Sequence, residues 1–171
     1  TKESQSIGTT IFDCAGLTLI PGLIDMRVFT GEPGTEYRET LATASVAAAA
    51  GGVTTMIVMP NTQPVIDDAA IVDFILRRAR DTAIVRVAPM AAITKGLKGS
   101  EITEFGLLRE AGAVGFTAGR HSITNALVLR QALTYARDFG ALIMHHPADP
   151  DLTGSGVMNE GETATRLGLS G

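Results

Sequence analysis

Short apolar runs rich in β-branched residues alternate along the chain with longer stretches of helical periodicity, and this alternation constrains the fold more than any other feature. Strands separated by helices run in the same direction, so the pattern predicts repeated βα units around a parallel sheet. The strand candidates are residues 17–23, 53–59, 84–90, 113–116 and 141–145. Most are continuously apolar, as expected of strands buried on both faces. A helix is expected after each. Asp67 and Asp68 can cap one whose Ile71, Phe74, Ile75 and Ala79 form the inner face, with Arg77, Arg78 and Arg80 in solvent. Asn125 can cap another, in which Val128, Ala132, Tyr135 and Ala136 point inward before Gly140 stops it. Residues 35–50 read as a third, closed by Gly51-Gly52, and its alanine run from Ala47 to Ala50 is expected in the core.

Composition decides which partners such a fold can take. With 45% hydrophobic residues the chain can bury one sizeable core. Lys and Arg number 14 against 18 Asp and Glu, a net charge of −4, so no basic field exists for phosphate backbones and nucleic acid is disfavoured. Small molecules and other proteins remain open as partners. No apolar stretch approaches the ~20 residues needed to cross a bilayer, so no membrane span is expected. Cys14 is the single cysteine and cannot form an internal disulfide, and the N-terminus carries no leader-like pattern; a reducing cytoplasm is the expected setting. Cys14 has no neighbouring His, which argues against a nucleophilic role.

Several stretches carry a resemblance. The segment LTLIPGLIDMRVFTGEPGTEYRETLATASVAAAAGGVTTMIVMPNTQPVIDD, followed by AAITKGLKG, LLREAGAVGFTAGR and GVMNEGETATRLGLSG, resembles in order and spacing the opening of a dihydroorotase barrel, a branch of the amidohydrolase superfamily. The resemblance implies an α/β fold: the N-terminal and central part of a (β/α)8 TIM-type barrel with about five βα units over residues 17–171. Residues 1–16, with a strand-like piece at 9–13, would be the remnant of a small outer β-sheet. About five units cannot close a barrel that needs eight strands, so either the chain is a fragment or another copy completes it. The activity implied is cyclic-amide hydrolysis in pyrimidine biosynthesis, interconverting carbamoyl aspartate and dihydroorotate at a zinc centre on the C-terminal rim.

The residues that such a centre requires are substituted. The family places His-x-His at the end of the first barrel strand, where alternate side chains point the same way and two imidazoles share one metal. Here the tripeptide is Arg27-Val28-Phe29. A guanidinium repels Zn²⁺ and a phenyl ring offers it no lone pair. Where the family carries an arginine that grips the substrate carboxylate, this chain has Gly31, followed by the matching Glu32-Pro33-Gly34. The acid-containing turn after the fourth strand reads Phe116-Thr117-Ala118-Gly119-Arg120. In the fifth strand His146 falls on the metal-ligand histidine as a possible remnant ligand, with Ala148 where a glutamate commonly follows and His145 one residue out of phase. Asn61 matches a family substrate contact, and an Asn before Thr62 and Pro64 equally suits a plain loop turn. His121 reads as a surface residue.

No catalytic residue, metal or cofactor is therefore expected in this chain, against zinc in the family it resembles. The degenerate members of that family imply a pseudoenzyme: a non-catalytic subunit that partners aspartate transcarbamoylase and supports its assembly. Self-association is the other partner expectation. Two further readings stay open. One is an active metal-dependent dihydroorotase that has rebuilt its site around His145, His146 and a modified lysine. The other is a sensor in which Arg27 binds a small anion directly.

Overall fold

A computed structural model describes residues 12–171 of the chain. Six strands and six α-helices follow in the order β1 (Leu23–Val28), α1 (Leu41–Ala50), β2 (Val53–Val58), α2 (Ala69–Thr82), β3 (Arg86–Pro89), β4 (Ala91–Ala92), α3 (Phe105–Glu110), β5 (Phe116–Thr117), α4 (Ala126–Asp138), β6 (Ile143–Met144), α5 (Pro150–Thr153) and α6 (Glu162–Leu167). Every strand pairing in the sheets is parallel, in the orders β1-β2-β3 and β4-β5-β6. The two sheets run into each other through Met90: its N–H donates back to Val58 O at 2.8 Å, while Val114 N–H donates to Pro89 O at 3.0 Å. The fold is thus α/β, with helices connecting parallel strands, as the alternation of short and long apolar segments predicts.

The central strand β2 is built from Val53, Thr54, Thr55, Met56, Ile57 and Val58, residues that suit a pleated buried surface. Met56 and Val58 are fully buried against Leu41 and Ala44 of α1 and against Val72 and Ile75 of α2 in one core. Farther along the sheet Phe105 stacks on Phe116 with centroids 4.2 Å apart, and Tyr135 closes the cluster 5.3 Å from Phe105. Ser45 ties helix to sheet: buried in α1, its Oγ donates to Ala42 O and accepts from Ile84 N–H just before β3.

The caps follow expectation at two helices. Asp68 accepts from Ala70 N–H and Asn125 from Leu127 and Val128 N–H. Asp67 is drawn away to Gly96 N–H at 2.7 Å. In α4 the expected inner residues Val128, Ala132 and Ala136 are buried and Tyr135 half-buried.

Several boundaries are corrected. The first strand is Leu23–Val28 rather than 17–23, because Pro21 lacks an N–H for the ladder and the chain joins β2 only at Leu23, opposite Val53. It is exposed along nearly its whole length, unlike the doubly buried strands expected. The helix read over 35–50 begins at Leu41, where Thr40 and Thr43 form a reciprocal capping box. Its alanine run is not core: Ala47, Ala49 and Ala50 are exposed and Ala48 half-buried. Four successive residues sweep a full helical turn, so one at most can continue the face set by Leu41 and Ala44. In α2 Ile75 and Ala79 are buried and Ile71 half-buried as expected, with Arg77, Arg78 and Arg80 exposed; Phe74 alone departs, 42% exposed, its place on the inner face taken by Val72. Of the region read as an outer-sheet remnant, residues 12–16 form only a turn; the rest, with most of the 9–13 piece, lies outside the described residues.

Candidate functional site

The ends of the parallel strands converge on one rim, where βα loops carry the chemistry of such sheets. Arg27 and Phe29 stand two residues apart at the end of β1, and Asn61 follows β2 after Met59 and Pro60. Gly119 and Arg120 follow β5, and His145 and His146 follow β6. A cavity of about 440 Å³ opens between the first three of these loops, its walls formed by Phe29, Thr30, Gly31 and Thr35 with Asn61 behind them. Arg38, Glu39 and Arg120 supply its charges.

The loop after β1 is folded tightly. Thr35 Oγ1 donates to Gly31 O and Thr30 Oγ1 donates to Glu32 O, so both hydroxyl protons are spent inside the loop. A Cβ added at Gly31 would meet Glu39 O at 2.7 Å. The loop is therefore closed, with no room for a side chain at position 31, where the sequence resemblance leads one to expect an arginine. Glu32 beside it is buried, accepts from Leu41 N–H at 2.8 Å, and receives Arg78 Nε at 2.5 Å. It anchors the loop to α1 and α2 and does not line the cavity.

Asn61 is where the two readings of the sequence part. The turn is made by Thr62, whose Oγ1 donates to Pro64 O at 2.7 Å. Asn61 Oδ1 is buried and has no hydrogen-bond partner. Its amide packs so closely on Gly119, which adopts φ +68°, that no Cβ fits at that glycine. An unpaired buried carbonyl oxygen is costly, and this one lies against the Gly119 backbone.

Arginine supplies the positive charge, from a different residue than expected. Arg27 is exposed on β1, its guanidinium carbon 5.4 Å from the Phe29 ring centroid, and it does not line the cavity. Arg120 does, lying 4.2 Å over the same ring, a cation–π distance that fixes its direction. Sequence reasoning missed Arg120, Arg38 and Glu39 as site residues. The one available signal was Arg120 directly after a strand-terminating Gly119.

The histidines serve the neighbouring loop. His145 Nε2 accepts from Ile123 N–H at 3.1 Å, which engages the lone pair a metal would need at that nitrogen. His146 is exposed and its carbonyl accepts from Ser122 Oγ, which itself accepts from Ala148 N–H. His121 is exposed, as expected. Ala118 is buried, and Thr117 Oγ1 accepts from Gly119 N–H in the turn where the family carries an acid. Among the described residues no three His, Cys, Asp or Glu side chains gather as metal ligands. With two guanidiniums over Phe29 and His145 committed to a backbone N–H, the residues of this segment do not by themselves fit a zinc ion. Cys14 is exposed and remote in sequence from every rim residue. No helix of the described residues is long and apolar enough to cross a membrane.

Comparison with known proteins bears on the family and the fold. Residues 16–171 match the family model described as "Dihydro-orotase-like". Dihydroorotase of Geobacter sp. (strain M21) is 48% identical over 164 residues, covering 96% of this chain and 39% of that protein. Dihydroorotase of Syntrophobacter fumaroxidans is 46% identical over 161 residues, covering 94% and 37%. The chain thus spans under two-fifths of the length of these curated relatives. Among solved structures, L-hydantoinase (dihydropyrimidinase) from Arthrobacter aurescens superposes with a TM-score of 0.62 at 24% identity, over 72% of this chain and 28% of that one. That likeness shows the fold, a partial barrel of parallel βα units. With the family model covering all but the first fifteen residues, the chain belongs to the dihydro-orotase-like family.

Proposed function

We propose that this chain is a dihydroorotase-like pseudoenzyme of pyrimidine biosynthesis, which keeps the barrel scaffold as a structural or assembly partner of aspartate transcarbamoylase and does not itself carry the metal-dependent hydrolysis. The observation that carries the reading is the Phe29 ring with Arg27 and Arg120 over it, at the strand end where the family sets two zinc-binding imidazoles. A permanent cation in that place opposes Zn²⁺ instead of merely failing to bind it. The rest of the scaffold motif, Glu32-Pro33-Gly34 and the loop through Asn61, is retained and packed. The partnership with aspartate transcarbamoylase rests on the sequence resemblance alone.

A second reading has its own support. The relatives at 44–48% identity are named dihydroorotase, and an active enzyme in a cytoplasmic pathway, with metal groups from outside this segment, accords with those names. The two are separated by measuring metal content and dihydroorotate hydrolysis of the intact protein, alone and mixed with aspartate transcarbamoylase. The pseudoenzyme reading expects no stoichiometric zinc, no turnover, and co-elution with the transcarbamoylase. Stoichiometric zinc with turnover that disappears on His146→Ala substitution would replace it with the second.

A further inference from the structure

Pairing across the first sheet fixes which side chains share a face. Ile24, Thr55 and Arg86 are partners in one row across β1, β2 and β3. In the next row Asp25 is opposite Met56, and Met56 opposite Val87. Met56 and Val87 pack in the core with residues of α1 and α2, so their row faces the helices and the row ending in Arg86 faces the other way. Among the described residues no layer covers that second face. Ile24 is 62% exposed and Met26 58%, and Arg86 is exposed and enters no ion pair. The three strands have no acid to offer it. Asp25 is their one carboxylate; it belongs to the helix-facing row, and its Oδ1 accepts from Arg27 N–H at 3.0 Å.

In a barrel of parallel βα units the face away from the helices is the interior, filled by side chains from all the strands. The Geobacter and Syntrophobacter dihydroorotases carry more than half of their length outside the stretch matched by this chain. Covering the face removes the Arg86 guanidinium from water. A guanidinium does not give up its proton, so its burial is tolerated only against an opposite charge. We infer that the strands completing the barrel bring an Asp or Glu side chain to Arg86, forming an ion pair inside the barrel at the end opposite the rim, with Ile24 and Met26 as its apolar surroundings. The pair selects what can close the barrel, since a wholly apolar strand would leave the cation buried and unpaired. It is independent of the chemistry at the rim: Arg86 opens β3, whereas the rim loops follow the other ends of the strands.

Two variants of the intact protein test it. Removing the guanidinium from an interior pair strands the carboxylate, so Arg86→Met should lower the thermal midpoint by about 5 °C or more. At an interior position with no carboxylate, the apolar side chain would leave the midpoint unchanged or raise it. Arg86→Lys keeps the charge and should recover part of the loss. Its amine also identifies the partner. A water-soluble carbodiimide activates a carboxylate touching that amine, the two condense to an amide, and the water lost converts the carbodiimide to its urea; peptide mapping by mass spectrometry then locates the acid. The expected product joins position 86 to an Asp or Glu outside residues 12–171. An unchanged or raised midpoint for Arg86→Met, a cross-link to residues 12–171 of a second copy, or no cross-link at position 86 would each overturn the assignment. Should Arg86→Met fail to fold, the cross-link in Arg86→Lys decides alone.

Discussion

Glu32 concentrates in one side chain much of what positions the rim. Its carboxylate is 3% exposed, one oxygen accepting from Leu41 N–H at the first turn of α1 and the other receiving Arg78 Nε. Leu41 is fully buried, so Glu32→Ala leaves its N–H without water or partner, at a cost of about 1–3 kcal/mol. The ion-pair share is smaller. Arg78 is 46% exposed and rehydrates when released, which moves its part from the 3–5 kcal/mol of a sealed pair toward the ~1 kcal/mol of an exposed one. Together the substitution should destabilise by about 2–4 kcal/mol. Glu32→Gln keeps a carbonyl oxygen for Leu41 and loses only charge at Arg78 and at the helix N-terminus, so about 1–2 kcal/mol is expected. Urea unfolding followed by far-ultraviolet circular dichroism at pH 7 measures both, and the Glu32→Gln, Arg78→Met double-mutant cycle should return a coupling of roughly 1 kcal/mol. Should Glu32→Ala fall within about 0.5 kcal/mol of the parent, or match Glu32→Gln, the role assigned to the Leu41 hydrogen bond is wrong.

Three further outcomes follow from the packing. Phe105→Ala removes a fully buried ring stacked on Phe116 and should cost about 3–5 kcal/mol, whereas Phe74→Ala, on the exposed side of α2, should cost less than about 1 kcal/mol; equal effects would contradict the helix register. Gly119→Ala meets both a left-handed backbone conformation and the Asn61 amide, and a thermal melt should show it destabilised by more than about 1 kcal/mol, with Asn61→Ala in the same chain recovering part of the loss. Tyr135 has its phenol pushed above the ordinary value of 10.0, first by burial and then by the Glu104 carboxylate beside it. The folded state thus retains the proton that the unfolded chain gives up, so the contribution is intact below pH 10 and is lost as pH rises through the folded value. Urea midpoints between pH 9 and 11 should fall less steeply for Tyr135→Phe than for the parent, and identical slopes would remove Tyr135 from the account.

Periodicity revealed the βα repeat because each unit buries one helix face and one strand, a pattern written locally in the residues. The caps Asp68 and Asn125 were legible for the same reason, since each bonds N–H groups two or three residues away. Boundaries failed where a local signal was outweighed. Leu17, Leu19 and Ile20 are as apolar as a strand, yet pairing with β2 begins only beyond Pro21, and strand identity depends on that partner. Ala47 to Ala50 have high helix propensity and no directional information, so their exposure was decided by Leu41 and Ala44 upstream. At the rim the sequence displayed which residues stand at the strand ends and could not display which of them meet. Arg120 lies 91 residues from Phe29 in the chain, and only the adjacency of strand ends in a parallel sheet sets its guanidinium over that ring.

The rim of this segment is tied together by its own polar groups. Glu32 joins the first loop to α2, Gln63 N–H donates to Pro33 O to join it to the second, and His145 and Ser122 bind the loop after β5 to the loop after β6. Each tie joins segments far apart in sequence, so together they order the loops in the way bridging ligands order them in a metalloenzyme. His145 shows the exchange most directly: accepting from Ile123 N–H, its Nε2 is a loop fastener and cannot at the same time be a ligand. A chain held by such ties can keep its rim in order without a metal, and this rim presents guanidinium groups to whatever enters the cavity. On that argument His145→Phe should loosen the loop at Ile123 without altering any metal content. Faster amide hydrogen exchange at Ile123 and Ser122, with unchanged exchange in β2, is the expected result. Unchanged exchange at Ile123 would show that the fastener contributes nothing.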